Sequence, residues 1–320
     1  MSDDELSTFK QEVFNFYKNK GFPYFSTTKS FRDNEFKKLN NYDFKRTIDS
    51  DNKVITQTMH GLSLAWSYMP HSWSVRCNNQ KTPLEAFNDD EMFMKVVQKR
   101  LRFGDNISAN GIRKMLKIFT GVQSVSNFRP TASASIYSLF CDEGDVVWDM
   151  SCGFGGRLLG ASLAKVQYIG TEPSTKTFEG LVQLNDDYSL GATLLQIGSE
   201  DYKPLPNTLD FCFTSPPYFD TEKYADEDTQ SYIKYPTKEL WVNGFLKTTF
   251  QNCYDGLKDG KVMAINIANV KSFKDIEEET IRVALEVGFT LDCTWKLALS
   301  KLGGKDFKYE PIFIFKKSNL

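Results

Sequence analysis

Histidine is scarce: His60 and His71 are the only two imidazoles in 320 residues. The six cysteines stand at 77, 141, 152, 212, 253 and 293 with no Cys-x-x-Cys pair. A structural zinc site needs closely spaced thiolates and imidazoles, so none is expected, and scattered cysteines suit a reducing cytoplasm. No apolar run approaches the roughly 18 uncharged residues of a membrane span, and the opening MSDDELSTFK has none of a signal peptide's apolar stretch. Internal repeats and low-complexity tracts are also absent. What remains, 41% hydrophobic and 25% charged, is the composition of a globular chain able to bury one or two cores.

The net charge of -2 conceals an asymmetry, since residues 1–128 carry 19 Lys+Arg against 14 Asp+Glu and the remainder 20 against 27. Within the basic part, Lys95, Lys99, Arg100, Arg102, Arg113, Lys114 and Lys117 face only Asp105 between residues 93 and 117. Such a concentration follows a phosphate backbone or forms a solvated helical face, and charge alone leaves both open.

The hydrophobic pattern changes near residue 140. Before it, helical faces are predicted from Phe9, Val13, Phe16 and Tyr17, from Met92, Val96 and Val97, and from Ile112, Leu116 and Phe119. The aromatic-rich stretch through Trp66, Tyr68 and Trp73 resists assignment. After Gly144, short apolar strands alternate with helical segments, the signature of a doubly wound α/β sheet. Strands are predicted over 146–150, 166–171, 193–197, 209–214 and 262–267, with helices over 156–164, 174–186, 238–257 and 276–287. TLDCTWKLAL and YEPIFIFKK then read as two strands joined by the KLGGK loop. A sheet that closes on an antiparallel pair differs from a plain dinucleotide fold.

The first strand ends in Asp149-Met-Ser-Cys152-Gly153-Phe154-Gly155-Gly-Arg157 and opens a helix. Glycines there allow a tight turn and close approach of a ligand to backbone N–H groups at the helix start. Such a turn also merely starts helices in many α/β folds. Glu172 ends the second strand about twenty residues on, where its carboxylate either caps a helix or accepts from both hydroxyls of a ribose. After the fourth strand comes Thr214-Ser215-Pro216-Pro217-Tyr218. Adjacent prolines remove two N–H donors and stiffen the chain, so carbonyl oxygens can be held toward a cleft beside Ser215 and the Tyr218 ring, an array suited to an exocyclic amine. A bare strand-ending turn explains the prolines but not the flanking Ser and Tyr.

Together these segments resemble the amino-methyltransferases of nucleic acids, which methylate adenine N6 or cytosine N4 and use S-adenosylmethionine. The family's cofactor turn is matched by Asp149, Gly153 and Gly155, with Ser151 in place of the usual Phe, and its catalytic tetrad by Ser215, Pro216, Pro217 and Tyr218. Phe128-Arg129-Pro130-Thr131 is similar to the segment holding the methionine end of the cofactor. Gly198-Ser199-Glu200-Asp201 falls where family members contact its adenine, and Tyr224 fits a substrate-closing loop. The likeness spans about residues 126 to 318.

The resemblance implies a Rossmann-like α/β sheet of seven strands ending in an antiparallel pair, preceded by a mainly helical region over residues 1–125. It further implies cofactor contacts from Arg129, Thr131, Asp149, Cys152, Gly153, Phe154, Gly155, Glu172, Ser199 and Glu200. The target base in duplex DNA would rotate out of the stack onto Tyr218, its amine donating to the Ser215 side chain and the Pro216 carbonyl. Methyl transfer would be direct, with no covalent cysteine. Ser at the first tetrad position favours cytosine N4 over adenine N6, in a solitary or restriction-modification setting. Residues 1–125 supply target binding, with Lys99, Arg100 and Arg102 on phosphates, or form a cap over the sheet. An RNA amino-methyltransferase and a non-catalytic nucleic-acid-binding module that keeps the fold are the other readings. Neither a membrane partner nor a particular oligomeric state is implied.

Overall fold

A computed structural model describes residues 3–102, 107–302 and 306–318, divided into two compact units. One holds Met1–Ser26, Pro70–Ser126 and Glu222–Tyr224, and the other Thr27–Met69, Asn127–Thr221 and Ala225–Leu320. One crossing between units falls between Ser126 and Asn127, and residues 27–69 go with the sheet. Val54 and Ile55 are the physical reason, because they pair with the sheet as a strand.

In the first unit the helices Asp3–Lys20, Pro83–Asn88, Asp90–Arg102 and Ala109–Ile118 pack around Val13, Tyr17, Phe87, Phe93, Val96, Val97, Ile112, Met115 and Leu116. Thr82 and Glu85 form a reciprocal cap with Pro83 at the first helical position, and the Ser108 hydroxyl caps the last helix. Phe16, expected on the buried face of the first helix, is instead 55% exposed. Phe14 and Tyr17 pull the apolar stripe to the other flank of Val13, and Phe14 packs on Phe93. A short antiparallel ladder pairs Arg76–Cys77 with Glu222–Lys223.

The second unit is built on one sheet. Its strands are β1 (Ile48–Asp49), β2 (Val54–Ile55), β3 (Val146–Asp149), β4 (Gln167–Thr171), β5 (Thr193–Leu195), β6 (Leu209–Thr214), β7 (Leu257–Asn266), β8 (Phe289–Leu302) and β9 (Asp306–Lys317). They lie in the order β1-β2-β8-β9-β7-β6-β3-β4-β5. Neighbours from β7 through β6, β3 and β4 to β5 are parallel, and β9 runs antiparallel to both β7 and β8. This is the expected Rossmann-like α/β sheet with its closing antiparallel pair. The expected seven strands become nine because β1 and β2 extend the edge at β8. The last three residues of the KLGGK loop, 303–305, lie outside the described residues.

Every residue of β6 is buried, the pattern of a central strand covered on both faces. The single helix expected over 238–257 is interrupted by a π-helical turn, Trp241–Leu246, between Lys238–Leu240 and Lys247–Gly256. Its Gly244 lies against Tyr235, whose ring carbon would come within 2.3 Å of an added Cβ.

The helix Pro130–Phe140 starts on a proline and runs through small residues, and Pro130 to Tyr137 are all buried. It packs on the helix Gly156–Ala164, whose Gly156 and Gly160 share one face at helical spacing. A Cβ on Gly156 would sit 1.7 Å from the Phe128 carbonyl oxygen, and one on Gly160 would sit 1.9 Å from Ser133 Oγ and 2.8 Å from the Pro130 carbonyl oxygen. The Ser133 hydroxyl donates to the Gly156 carbonyl at 3.1 Å. Two helices can therefore meet almost backbone to backbone, which draws Phe128 and Arg129 beside the turn that follows β3. Gly160→Ala should lower stability by about 1–3 kcal/mol through overpacking. Leu205→Ala, at a side chain 74% exposed, should change it by no more than about 0.5 kcal/mol. Urea unfolding of the two variants checks the contrast.

Candidate cofactor and base site

Asp149, the last residue of β3, is fully buried. Its Oδ2 accepts from Arg157 Nε at 2.8 Å and from the Tyr168 hydroxyl at 2.7 Å. Its Oδ1 accepts from the Thr214 hydroxyl at 2.9 Å and from the Ser151 N–H at 3.2 Å. Arg157 Nη2 also donates to the Ser151 carbonyl, and its guanidinium lies 5.6 Å from the Phe128 ring and 5.9 Å from that of Phe213. A buried carboxylate is stable only when so thoroughly paired. Here the pairing ties β3, β4, the end of β6 and the helix after the turn to one point.

That point shapes the turn. Gly153 and Gly155 take φ of +58° and +83°, where a side chain would be strained. A Cβ on Gly153 would meet Arg157 Nη2 and the Ser151 carbonyl oxygen at 3.9 Å, ordinary van der Waals contact, so it is the backbone conformation rather than crowding that favours glycine there. Cys152 donates its N–H to the Thr171 carbonyl at 3.0 Å and is buried, which pushes its thiol well above the usual range and suits it to packing rather than nucleophilic attack. Phe154 is buried against Trp66, ring centroids 5.3 Å apart, and its carbonyl accepts from Asn127 Nδ2 at 2.9 Å.

Glu172 follows β4 and is 9% exposed. Its Oε2 accepts from the Gly153 N–H at 3.1 Å and its Oε1 from the Ser174 N–H at 3.0 Å. Each oxygen keeps a lone pair for a hydroxyl donor. Burial, opposed by those two backbone N–H groups, pushes its carboxyl up to about 7. Ser174 stands at the N-cap of the helix Thr175–Asp187, yet its hydroxyl makes no capping bond and is buried without a partner.

Arg129 is the N-cap residue of the helix Pro130–Phe140. Burial lowers its guanidinium from the usual value, and among the described residues no carboxylate pairs with it. Thr131 is fully buried, its hydroxyl bonded to the Thr58 N–H at 3.2 Å and the Thr58 hydroxyl at 3.1 Å. Ser199 is buried with its hydroxyl 2.8 Å from that of Thr249. Glu200 Oε1 accepts from Lys234 Nζ at 3.0 Å, while Oε2 is buried without a partner.

Thr214, bonded to Asp149, is the residue before Ser215, so the proline corner starts from the same anchor as the glycine turn. Ser215, Pro217 and Tyr218 are half-buried and Pro216 buried. Phe219 takes φ of +57° and turns its ring inward, edge-on to Trp241 and Phe273 with centroids 6.1 and 6.2 Å away. The Thr221 N–H donates to the Tyr218 carbonyl at 3.2 Å, and the hydroxyls of Thr221 and Ser272 are 2.9 Å apart.

One unit therefore gathers Arg129, Thr131, Asp149, Cys152 to Gly155, Glu172, Ser199, Glu200 and Ser215 to Tyr218. Lys99, Arg100, Arg102 and Tyr224 belong to the other. On the helix Asp90–Arg102, Arg102 is exposed and Lys99 lies 5.4 Å from the Phe119 ring. Arg113 is 9% exposed, donating to the Pro23 carbonyl at 2.8 Å and stacked 3.9 Å from Phe25, so it leaves the basic stretch and serves the core. Sequence reasoning missed Thr58, Trp66, Tyr168 and the bracing role of Arg157. The last was signalled by a charge set between glycines and leucines on an otherwise apolar helix. Among the described residues no group of three or more His, Cys, Asp or Glu is placed to hold a metal ion, and no helix is long and apolar enough to cross a membrane.

No protein-family model and no curated protein matches the chain. Solved structures do. A TehB-like SAM-dependent methyltransferase from Corynebacterium glutamicum aligns at TM-score 0.41 and 12% identity, over 60% of this chain and 90% of that one. A SAM-dependent O-methyltransferase from Thermotoga maritima aligns at 0.43 and 14%, over 61% and 68%. A precorrin-6y C5,15-methyltransferase from Geobacter metallireducens aligns at 0.40 and 14%, over 59% and 87%. At this level of likeness the residues themselves must carry the functional reading.

Because Glu172 is raised from 4.5 in the folded chain, the unfolded chain releases this proton first. Its contribution to stability is complete below about 4.5 and is lost as pH rises to about 7. Glu172→Gln should flatten that part of the stability–pH profile, measured by urea unfolding from pH 4.5 to 8.

Proposed function

We propose that this protein transfers a methyl group from S-adenosylmethionine to the exocyclic amine of a base in DNA, with cytosine N4 favoured over adenine N6. The observation that carries the reading is the Asp149 carboxylate, which holds the glycine turn through Ser151 and Arg157 and the start of the Ser215-Pro-Pro-Tyr corner through Thr214. A donor site and an acceptor site are thereby fixed to the same atoms.

The residues fit the cofactor at both ends. Glu172 offers two anchored acceptors to a ribose diol, and the buried Ser174 hydroxyl and Glu200 Oε2 await partners on the nucleoside side. Arg129, desolvated and without a carboxylate among the described residues, suits the carboxylate of an amino acid. The cofactor, when bound, supplies a sulfonium methyl that is already electrophilic. The chain's own work is then positioning. Ser215 Oγ and the Pro216 carbonyl accept the amine's N–H groups and aim its lone pair, and the Tyr218 ring takes the face of a base turned out of the duplex. Ser215 at the head of the tetrad supports cytosine N4 through the family resemblance. Lys99, Arg100 and Arg102 support DNA as the partner, as a basic last turn on the helix Asp90–Arg102.

Incubation with methyl-labelled cofactor and either duplex DNA or total RNA, followed by mass spectrometry of the nucleosides, tests this directly. N4-methylcytosine in DNA is expected. N6-methyladenine, or a methylated amine in RNA alone, would reassign the substrate, and no methylated nucleoside in either would overturn the reading. Tyr218→Ala and Pro216→Ala should each lose most turnover while calorimetry shows cofactor binding retained. Replacing Lys99, Arg100 and Arg102 together with Gln should weaken DNA binding and reduce the salt slope by about 3, checked by binding titrations across salt concentrations.

A further inference from the structure

The segment Gly21-Phe22-Pro23-Tyr24-Phe25 takes no part in the cofactor and base site. Gly21 has φ of +88° and ends the helix Asp3–Lys20, its N–H donating to the Tyr17 carbonyl at 2.8 Å, and Pro23 bars the helix from resuming. The helix Ala109–Ile118 then fastens the chain down. Buried Arg113 donates from Nη1 to the Pro23 carbonyl at 2.8 Å and to the Tyr24 carbonyl at 3.4 Å, and its guanidinium lies 3.9 Å from the Phe25 ring. Trp73, 2% exposed, backs these rings, with its centroid 5.1 Å from that of Phe22 and 6.3 Å from that of Phe25. Lys117 Nζ stands 4.7 Å from the Trp73 ring. The result is a braced ledge of rings and cations within the first unit.

Arg113 and Trp73 cover Phe25, so that ring is support. Tyr24 is different: its centroid lies 4.7 Å from that of Phe22, yet the residue is 42% exposed. On the helix beside it, Lys114 is exposed and shares a face with Lys117 and Ile118, three and four residues on. The charge here has one sign. No Asp or Glu occurs in residues 13–26, 70–84 or 106–126, the three stretches that build the ledge. The carboxylates that follow the second stretch, Glu85, Asp89, Asp90 and Glu91, are each held by a cation, namely Arg76, Lys81, Lys18 and Lys95. A solvated surface ordinarily intersperses both signs. An exposed ring flanked by cations alone is instead complementary to a nucleotide chain, whose bases offer π-faces and whose phosphates offer charge.

We propose that this ledge is a docking surface for unpaired DNA, on which a base stacks against Tyr24 while Lys114 and Lys117 meet the adjoining phosphates. The inference goes beyond the methyl-transfer reading. It shares with that reading the DNA partner, but no residue of the cofactor and base site, and it is separate from the contacts given to Lys99, Arg100 and Arg102.

Fluorescence anisotropy with the full chain, no cofactor, and a labelled single-stranded oligothymidylate tests it, beside an abasic oligonucleotide of the same length and polyglutamate. Wild-type protein should bind the oligothymidylate about tenfold more tightly than its abasic counterpart. Tyr24→Ala should remove that difference and leave the salt slope unchanged, and Tyr24→Phe should restore it. Replacing Lys114 and Lys117 together with Gln should reduce the salt slope by about 1.4. Equal wild-type affinity for the two oligonucleotides overturns the proposal, and that arm needs no variant to fold. Undiminished discrimination in Tyr24→Ala overturns it as well, and tighter binding of polyglutamate would give the ledge to an acidic protein instead. Absence of methyl transfer with these results intact would bring down the catalytic reading and leave the docking surface standing.

Discussion

A single buried carboxylate holds the glycine turn and the start of the proline corner in register. Asp149 accepts four hydrogen bonds from Arg157, Tyr168, Thr214 and Ser151, and each donor comes from a different part of the chain. Isolated at that depth, the charge would be untenable, and the Arg157 guanidinium would be equally so. Each is tolerable because the other and two hydroxyl groups are in place. Mutual necessity of this kind makes the site's geometry cooperative, so the glycine turn cannot shift without moving the strand that leads to Ser215.

The second constraint is steric. Gly156 and Gly160 let the helix after the turn lie against residues 128–134 at a distance no side chain permits. Side-chain hydrogen bonds donated by Ser133 and Asn127 to the Gly156 and Phe154 carbonyls then fix the approach. Glu172 then accepts from the Gly153 and Ser174 N–H groups, and Arg129, just before that helix contact, is desolvated with no carboxylate paired to it among the described residues. Raising a carboxyl to about 7 and leaving polar groups unpaired both cost stability. Proteins concentrate such costs where a ligand relieves them.

Residues 27–69 show how a second layer is added to such a sheet. They lend β1 and β2 to one edge and bring Thr58 onto Thr131 and Trp66 onto Phe154. The aromatic density of this stretch, opaque in sequence because it follows neither a helical nor a strand period, reflects packing against an existing surface rather than a core of its own. Its short helix Leu62–Ser67 is buried at five of six positions, so no amphipathic stripe was there to read.

Local pattern was enough to determine the alternation of strands and helices after Gly144, the closing antiparallel pair, the glycine turn at 153 and 155, the acidic end of β4 and the proline corner. Each depends on neighbours within a few residues, where periodicity, φ preference and missing N–H donors act directly. Only the tertiary structure decided that Asp149 is a brace shared by both motifs and that Arg113 is a core group rather than part of a basic face. The same holds for Phe16 facing outward. Those outcomes depend on which distant groups share a buried volume, and burial acts on partners that the order of residues along the chain does not reveal.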